Sequence, residues 1–402
     1  MNDLRFAFRQ LLKAPGFTVV AVLTLALGIG ACTLVFSWIR SVLLDTIPGA
    51  RDPGRLVVLA QRHVTGEVFH TLSMPDVRDL RSQSNVFTGI IASQMEPATL
   101  RTDQELEWVW TQPVTANFFD VLRVTPALGR AFLPDEDQAP GGNPVAVISH
   151  RLWQRRFGGS PGVIGRSVEI ARRPFTIIGV APAGFRGTMG GLAFDLWVPL
   201  TMSNEYADIS RALTSRGWRW LHTIARLQDG VSLAQAQVAT DIATRQLEAE
   251  YPQSNKDVGA AVRPVYRAPW GIQASLLPLL TALAGVAILL LLLVIANVAN
   301  LLLARASSRE NEMAVRLALG ARATRLVRQV LVESLVLASL GGILGAILAA
   351  TFSRALLWLL PATYLPVGIE FPIDLRVLAF VTAITVVTGL LFGLAPAWRA
   401  AR

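Results

Sequence analysis

Four long apolar stretches limit what this chain can fold into more than any other feature. The longest has no charged residue from Gly271 to Ala304. A helix of about 20 apolar residues crosses a hydrocarbon core of roughly 30 Å, and these stretches are long enough to do so. The composition agrees, because 52% of the 402 residues are hydrophobic and 16% are charged, whereas soluble domains carry about 25% charged residues. The sequence therefore predicts an integral membrane protein.

The four stretches divide the chain into alternating apolar and polar segments. Transmembrane helices are predicted at residues 17–44, 271–304, 333–354 and 377–398. The remaining segments are a cytoplasmic amphipathic helix at 1–16, an extracytoplasmic domain at 45–270, a charged cytoplasmic loop at 305–332, an outer loop at 355–376 and a cytoplasmic end at 399–402. The predicted fold class is an α-helical integral membrane protein with four transmembrane helices and a large α+β extracytoplasmic domain between helices 1 and 2.

The loop between the second and third spans is rich in arginine, which is enriched on the cytoplasmic side of membranes. Its arginines are Arg305, Arg309, Arg316, Arg322, Arg325 and Arg328. Glu312 and Arg316 are four residues apart in the order that stabilises a helix, and Met313 and Leu317 share another face. Gly320 is suited to end that helix. We therefore expect a short amphipathic helix on the cytoplasmic face, with both termini of the chain on the same side.

Small residues and amides inside the spans predict where the helices touch. Glycines four residues apart, such as Gly341 and Gly345, let two helices approach closely, and an asparagine amide in hydrocarbon needs a partner on another helix. Glu333, at the entry to the third span, is expected to form an interfacial ion pair with Arg325 or Arg328. The residues predicted to pack between spans are Gly28, Gly30, Asn297, Asn300, Gly341, Gly345, Gly389 and Gly393.

The first span admits two other interpretations. Its uncharged part runs from Phe17 to Ile39, which is longer than the apolar run of roughly 7–15 residues in a cleaved signal peptide. Ile29-Gly-Ala-Cys32 resembles a lipoprotein cleavage box, but the sequence after Cys32 continues apolar where a mature lipoprotein turns polar. We expect a retained first span.

The polar domain alternates strand-like and helix-like segments. Ser73, Ser149 and Ser232 each precede a helical pattern and can accept a hydrogen bond from its first turn. Asp135-Glu-Asp137 is expected to be a solvated turn rather than a cation site. Strands are predicted at 56–60, 106–111, 145–148, 167–171, 175–180, 220–227 and 258–265. The last two strands flank the helix after Ser232, which predicts a β-α-β unit.

Several kinds of activity lack the residues that they need. One cysteine and four histidines, with no HExxH or His-x-His spacing, leave no pattern for a disulfide within these residues or for a zinc cluster. No G-x-x-x-x-G-K-[ST] sequence occurs, so no site for ATP phosphates is predicted. The net charge of +9 is spread along the chain without a basic stripe, which argues against nucleic acid. No catalytic, cofactor-binding or metal-binding residue is predicted, and we do not expect an enzyme.

Three segments around the charged loop resemble one family. They are Ala296-Asn-Val-Ala-Asn-Leu-Leu-Leu-Ala-Arg-Ala, Glu312-Met-Ala-Val-Arg-Leu-Ala-Leu-Gly-Ala and Arg328-Gln-Val-Leu-Val-Glu-Ser-Leu. These segments resemble the permeases of the MacB/FtsX type of ABC transporter, and most closely the duplicated orphan permeases of acidobacteria, of which this chain would be a half-length or truncated member. Leu25-Ala-Leu-Gly-Ile-Gly-Ala resembles the family's first span, although Cys32 stands where these permeases usually carry Asn. The resemblance implies a MacB-like periplasmic core domain, a porter-like lobe with an inserted second lobe at about 92–215.

The resemblance also implies a mechanism and a set of partners. The loop helix would be the coupling helix that docks on a separate ABC-type ATPase subunit, which binds ATP and Mg²⁺. The residues of that helix are Arg309, Glu312, Met313, Arg316, Leu317 and Gly320. Motion driven by ATP would pass through the spans to the extracytoplasmic domain and export a drug, peptide or lipid-like substrate.

Further implied partners are a second permease copy, as a homodimer or fused repeat, membrane lipid and a periplasmic adaptor. The implied location is the bacterial inner membrane. The alternative function is a transmembrane regulator or sensor that uses the same mechanics to control a cell-wall hydrolase or kinase without transport.

Overall fold

A computed structural model of the chain describes residues 2–41, 47–69, 71–102, 105–203, 208–270, 272–307, 323–359 and 375–401. These residues belong to two compact units. We call the first the span unit; its described residues are 2–41, 276–359 and 375–401. The second is the extracytoplasmic domain, described within residues 47–275.

Helices and strands account for most of both units. The helices are α1 Asn2–Leu12, α2 Pro15–Ile39, α3 Met74–Gln83, α4 Phe118–Leu122, α5 His150–Phe157, α6 Ile209–Thr214, α7 Leu233–Glu250, α8 Pro252–Asn255, α9 Ile272–Ser307, α10 Ala323–Leu359 and α11 Leu375–Ala401. The strands are β1 Leu56–His63, β2 Phe87–Ser93, β3 Glu96–Thr102, β4 Glu105–Val114, β5 Leu128–Gly129, β6 Val145–Ile148, β7 Ser167–Ile170, β8 Arg173–Val180, β9 Leu196–Pro199, β10 His222–Leu227 and β11 Val258–Pro264.

Four helices of the described chain have the length and composition to cross a membrane. The apolar parts that do so are Pro15–Ile39, Leu276–Arg305, Arg328–Ser353 and Leu375–Gly393. α1 packs on these helices through Ala7 and Leu11, which are buried in their common cluster. The Thr18 hydroxyl, in the first turn of α2, donates to the Leu11 carbonyl at 2.8 Å and so fixes the corner between α1 and α2.

One part of the extracytoplasmic domain is a four-stranded antiparallel sheet in the order β11-β1-β10-β2. The chain passes from β10 through α7 to β11, on the two sides of β1, so the predicted β-α-β unit is present with one strand between. Apolar residues of α3 and α7 pack with one face of this sheet. The helix starts follow the sequence, since Ser73, Ser149 and Ser232 each accept the expected backbone hydrogen bond.

The other part is a ring of strands that the local sequence pattern does not reveal. β4, β3, β7, β8, β6 and β9 pair in that order, and β9 then pairs in parallel with β4 to close the ring. This closing pair joins Thr111 to Leu196 and Val114 to Pro199. The ring lies within the predicted insertion at about 92–215. A single residue pair, Ser93 with Val114, links the ring to the four-stranded sheet.

A buried charge network ties the end of the insertion back to the sheet. The Asp76 carboxylate, at the start of α3, is 4% exposed. It accepts hydrogen bonds from Arg216 Nη1 at 2.9 Å, Asn255 Nδ2 at 2.9 Å and the Ser73 hydroxyl at 2.7 Å. The Arg216 guanidinium also lies 3.6 Å from the centre of the Tyr251 ring. Asp76 therefore holds together α3, α8 and the segment before β10.

The acidic turn at Asp135-Glu-Asp137 is less solvated than the sequence predicted. Glu136 is 9% exposed, and its carboxylate accepts from Arg130 at 2.7 and 2.9 Å and from the Leu133 backbone N–H at 2.8 Å. Burial alone would raise the pKa of Glu136, but the hydrogen bonds from Arg130 and Leu133 outweigh burial and lower it. Glu136 therefore caps the turn through Leu133 and pairs with Arg130, while Asp137 accepts from the backbone N–H groups of Ala116 and Thr201.

Candidate functional site at the base of the charged loop

The predicted coupling residues lie outside the part of the chain that the structure describes. They are Arg309, Glu312, Met313, Arg316, Leu317 and Gly320, and the described residues end at Ser307 and resume at Ala323. The structure does describe the base of this loop. That base is formed by the end of α9, the early turns of α10 and the corner between α1 and α2.

Arg305, in the last turn of α9, contacts all of these elements. Its Nη1 is 3.2 Å from Glu333 Oε1 on α10, and its Nη2 donates to the Gln10 carbonyl on α1 at 2.8 Å. The centre of its guanidinium lies 4.6 Å from the centre of the Phe17 ring on α2. We call these four residues, Arg305, Glu333, Gln10 and Phe17, the arginine clamp.

The arginine clamp is well shielded from solvent. The side chains of Arg305 and Glu333 are 11% and 12% exposed. Because two charges withdrawn from water attract each other strongly, removal of either one leaves the other unpaired at a cost of about 3–5 kcal/mol for a fully buried pair. Glu333 forms an ion pair as expected, but the partner that the structure shows is Arg305, whereas the sequence predicted Arg325 or Arg328.

Close approach of backbones holds α2 against α10. Gly30 and Gly345 face each other, and a Cβ built on Gly345 would lie 2.8 Å from the Ala26 carbonyl oxygen and 2.9 Å from the Gly30 nitrogen. A Cβ on Gly341 would lie 2.5 Å from the Leu25 Cβ. Neither position has room for a side chain unless the helices separate, because the contacted atoms belong to backbone or to a Cβ.

The remaining glycines predicted at helix contacts also meet neighbouring helices. A Cβ on Gly28 would lie 3.1 Å from Val294 Cγ2 of α9. On α11, a Cβ at Gly389 would lie 3.1 Å from the Ala338 Cβ, and one at Gly393 would lie 2.9 Å from the Ser334 hydroxyl oxygen. α10 therefore meets α2 with one set of small residues and α11 with another.

The two predicted asparagines are placed differently. Asn297 and Asn300 are both exposed on α9, on a face that the described helices of this chain do not cover. Apolar side chains on that helix are exposed as well, including Leu293 at 59% and Leu301 at 38%. Cys32, in the middle of α2, is buried, and its thiol donates to the Ala287 carbonyl of α9 at 3.4 Å.

Two models of known protein families match most of the chain. Residues 18–241 match the family described as MacB-like periplasmic core domain, and residues 284–402 match the family described as FtsX-like permease C-terminal. The chain belongs to the MacB/FtsX-type permeases of ABC transporters. The predicted family and fold class are both confirmed, while the likeness to the acidobacterial subfamily stays a prediction. Four apolar helices with an extracytoplasmic-type domain fit a multi-pass protein of the inner membrane.

Relatives of this MacB/FtsX-type chain include longer proteins. The macrolide export ATP-binding/permease protein MacB of Escherichia coli K12 is 25% identical over 99% of this chain and 59% of its own length. The protein of the same description from Azoarcus sp. BH72 is 30% identical over 98% of this chain and 56% of its own length. The chain thus spans less than two thirds of the length of these relatives.

Two solved structures are similar to about half of this chain. The periplasmic region of MacB from Actinobacillus actinomycetemcomitans is 16% identical, covers 53% of this chain and 89% of its own, and gives a TM-score of 0.39. A domain of a putative permease from Porphyromonas gingivalis is 17% identical, covers 54% and 91%, and gives a TM-score of 0.41.

The arginine clamp is the part of this site that the sequence did not predict. From the sequence, Arg305 counted only as one of the positive charges of the loop. Gln10 contributes its backbone carbonyl, which no sequence pattern marks. One signal was present. Arg305 is the first charge after a long uncharged run, and Glu333 is the one acid at the entry to the next span, so the two charges are positioned at the same membrane surface.

Proposed function

We propose that these residues form the permease part of an ABC transporter that works by mechanotransmission. An ABC-type ATPase, a separate subunit that binds ATP and Mg²⁺, would push the charged loop from the cytoplasm. The spans would pass the motion to the extracytoplasmic domain, which would export a drug, peptide or lipid-like substrate without its crossing the bilayer here. Both termini would then lie in the cytoplasm.

The observation that supports this proposal most directly is the arginine clamp. A push on the loop reaches α9 at Arg305 and α10 at Glu333, and these two residues are joined to each other, to α1 and to α2. The helices at the base of the loop would therefore move together when the ATPase pushes the loop. The tight contact of α2 with α10 at Gly30 and Gly345 would carry the same displacement along the spans.

The exposed face of α9 supports a second permease copy as a partner. Amides of Asn297 and Asn300 in hydrocarbon need hydrogen-bond partners, and the described helices of one copy leave both exposed. Cys32 is the one cysteine of the chain, so Cys32→Ser gives a cysteine-free background. In that background, Asn297→Cys is expected to cross-link two copies in membranes, whereas Leu348→Cys, an exposed position on α10, serves as the control.

The coupling proposal is tested by purification of the tagged chain from its native membrane. The wild type is expected to bring an ABC-type ATPase with it, identified by mass spectrometry. Met313→Asp with Leu317→Asp is expected to lose the ATPase, because both charges fall on the apolar face of the predicted coupling helix. Ala314→Asp with Ala318→Asp adds the same charges one residue further along and is expected to retain most of the ATPase.

Two results would count against the proposal. If no ATPase accompanies the well-folded wild type, the regulator or sensor function becomes the better explanation. If both double variants retain the ATPase equally, the segment does not dock through the face that contains Met313 and Leu317.

A further inference from the structure

The extracytoplasmic domain contains a buried arginine without a carboxylate partner among the described residues. Arg226, on β10, is 2% exposed. Its guanidinium donates to three backbone carbonyls, those of Val121, Arg51 at 2.8 Å and Asp52 at 3.3 Å. Carbonyl oxygens satisfy hydrogen bonds but do not neutralise a charge, so a buried guanidinium in this position lacks its usual counterion.

The local backbone is built around Arg226. Its partner strand β2 has a register shift there, because Arg226 pairs with Gly89 whereas Leu227 pairs with Phe87. The extra residue, Thr88, makes a β-bulge, a feature that often redirects side chains near binding sites. Gly89 has no side chain, and a Cβ there would lie 2.6 Å from Val121 Cγ2. Its absence lets α4 approach the strand closely enough for the Val121 carbonyl to reach Arg226.

A cleft of about 420 Å³ opens beside this arginine. Its lining includes Arg81, Arg123 and Arg226 against one acidic residue, Asp120. Arg123 also pairs with Asp52, outside the lining, at 2.6 Å, so the cleft and this partner together have a net charge of +1. Ligand sites commonly have volumes of about 300–1,000 Å³. Burial, followed by the charges of Arg123 and Arg55, lowers the pKa of Arg226, and the charge of Asp52 opposes this only in part. An arginine nevertheless stays protonated at neutral pH. An anion in the cleft would relieve that repulsion.

The same cleft has an unused hydrogen-bond acceptor. The amide of Asn117 donates through Nδ2 to the Ile90 carbonyl at 3.0 Å, which fixes the orientation of the side chain. Its Oδ1 is buried in the lining and has no partner among the described residues. A ligand that fits therefore has an anionic end for the arginines and an N–H or O–H donor for Asn117 and Asp120.

We propose that this cleft binds a phosphate group whose carrier also presents a hydrogen-bond donor, such as the phosphoethanolamine part of a lipid headgroup. Phosphate suits the site because guanidinium groups bind its oxygens with charge-assisted hydrogen bonds. An ammonium or hydroxyl on the same carrier suits Asp120 and the free oxygen of Asn117. This inference does not depend on the proposed transport function, since binding requires neither ATPase nor a second copy.

The test is calorimetric titration of the full chain in a phosphorus-free maltoside detergent. Inorganic phosphate and glycerophosphoethanolamine are titrated separately in chloride buffer. We expect saturable binding of one ligand per chain, weakened by added salt because the site is charged. Tighter binding of glycerophosphoethanolamine would identify an organic phosphodiester such as a lipid headgroup as the ligand, and equal binding would identify phosphate itself. Both results support a phosphate site.

Two variants with a matched control make the test specific. Arg81→Gln removes one lining charge from α3 and is expected to weaken phosphate binding about three- to tenfold. Arg78→Gln removes the same charge from the same helix outside the cleft and is expected to leave binding unchanged. Asp120→Asn removes the one acid of the lining. It should therefore tighten the binding of inorganic phosphate and reduce the preference for glycerophosphoethanolamine.

These variants avoid Arg226, whose replacement would unfold the surrounding backbone. The proposal is overturned if the folded wild type shows no saturable binding of either compound. It is equally overturned if Arg81→Gln and Arg78→Gln change phosphate binding by the same factor, or if Asp120→Asn weakens the binding of inorganic phosphate.

Discussion

Gly30 and Gly345 bring α2 and α10 so close that their backbones touch, whereas helix α3 of the extracytoplasmic domain packs on its sheet through large side chains. α3 contributes Met74, Val77 and Leu80 to one buried cluster of that domain. The span unit has its own apolar cluster, but many of its large side chains are exposed, such as Leu289 at 68%.

The difference follows from the solvent that surrounds each unit. In water, burial of apolar side chains stabilises a fold by about 25 cal/mol per Å². In lipid, apolar side chains gain nothing by leaving the hydrocarbon, so helices associate through close packing of small residues and through polar contacts. Glycines should therefore dominate the stability of the span unit, and buried side-chain networks that of the extracytoplasmic domain.

The largest expected effect comes from a substitution that breaks the contact between Gly30 and Gly345. Gly345→Val places a branched side chain against the Ala26 carbonyl and the Gly30 nitrogen, which cannot move independently of α2. Overpacking typically costs about 1–3 kcal/mol, and we expect a loss of about 3 kcal/mol here because the contacted atoms are backbone. The free energy of unfolding is measured by circular dichroism during titration with sodium dodecyl sulfate.

Gly285→Val is the matched control for this prediction. A Cβ at Gly285 of α9 would meet nothing within 4 Å, so the same substitution is expected to change the unfolding free energy by less than about 0.5 kcal/mol. Equal losses in the two variants would mean that helix propensity, rather than the contact with α2, explains the effect.

The second effect concerns the one place where the span unit relies on buried charge. Arg305→Gln or Glu333→Gln each leaves a charge unpaired beside α1, so each single variant is expected to lose about 2–3 kcal/mol. The double variant is expected to lose less than the sum, because it removes both charges. Arg9→Gln, an exposed arginine of α1, is the control.

The arginine clamp also distinguishes stability from coupling. If the proposed ATPase subunit binds and is stimulated by the permease, the single variants are expected to keep it bound but to lose most of that stimulation, at a temperature where all variants stay folded. Strictly additive losses in the unfolding measurement would show that Arg305 and Glu333 do not interact.

Local patterns in the sequence explain why much of the fold was predictable. The spans follow from uninterrupted apolar runs, and the helix starts follow from Ser73, Ser149 and Ser232, whose side chains act within one turn. The closed ring was not predictable, because its closing pair joins Thr111 to Leu196, 85 residues apart, and neither strand marks its partner. Arg226 was equally hidden, since one arginine in an apolar strand pattern usually indicates an exposed position.

The third effect tests the buried network of the extracytoplasmic domain. Asp76→Asn keeps one acceptor oxygen, which can still accept from Arg216 and Asn255, but it puts an NH₂ group where the other oxygen accepts from Ser73. It also removes the negative charge that pairs with the buried Arg216. We expect a loss of about 2 kcal/mol. Asp79 also pairs with Arg216, but its side chain is 28% exposed. We therefore expect Asp79→Asn to lower the free energy of unfolding by only about 0.5–1 kcal/mol. Tryptophan fluorescence mainly follows unfolding of this domain, because seven of the ten tryptophans of the chain lie in it, among them the buried Trp197.

This prediction sharpens the comparison because Asp76→Asn should leave the span unit unchanged. Detergent-induced unfolding of the helices is expected to match the wild type, while the thermal transition measured by tryptophan fluorescence moves to lower temperature. A parallel shift of both transitions would show that the two units unfold as one cooperative body, and the contrast between them would then describe packing but not stability.

The smallest effect is a pH dependence in the extracytoplasmic domain. Because the folded state lowers the pKa of Glu136, its ionised form stabilises the fold. That contribution is complete above the ordinary glutamate pKa of about 4.3 and is lost as the pH falls through the lowered folded value. Arg130 is 45% exposed, so solvent screens the pair and the contribution should be about 1 kcal/mol.

Glu136→Gln removes the ionisable group and keeps an oxygen that accepts from the Leu133 backbone N–H. The variant is expected to be about 1 kcal/mol less stable than the wild type at pH 7 and nearly equal to it at pH 3, as measured by the tryptophan-fluorescence transition. Asp135→Asn, at an exposed position in the same turn, should show no such difference between the two pH values. If the deficit of Glu136→Gln persists at pH 3, shape and hydrogen bonding explain the contribution of Glu136. The extracytoplasmic domain would then resemble the span unit, where fit between neighbouring groups outweighs charge.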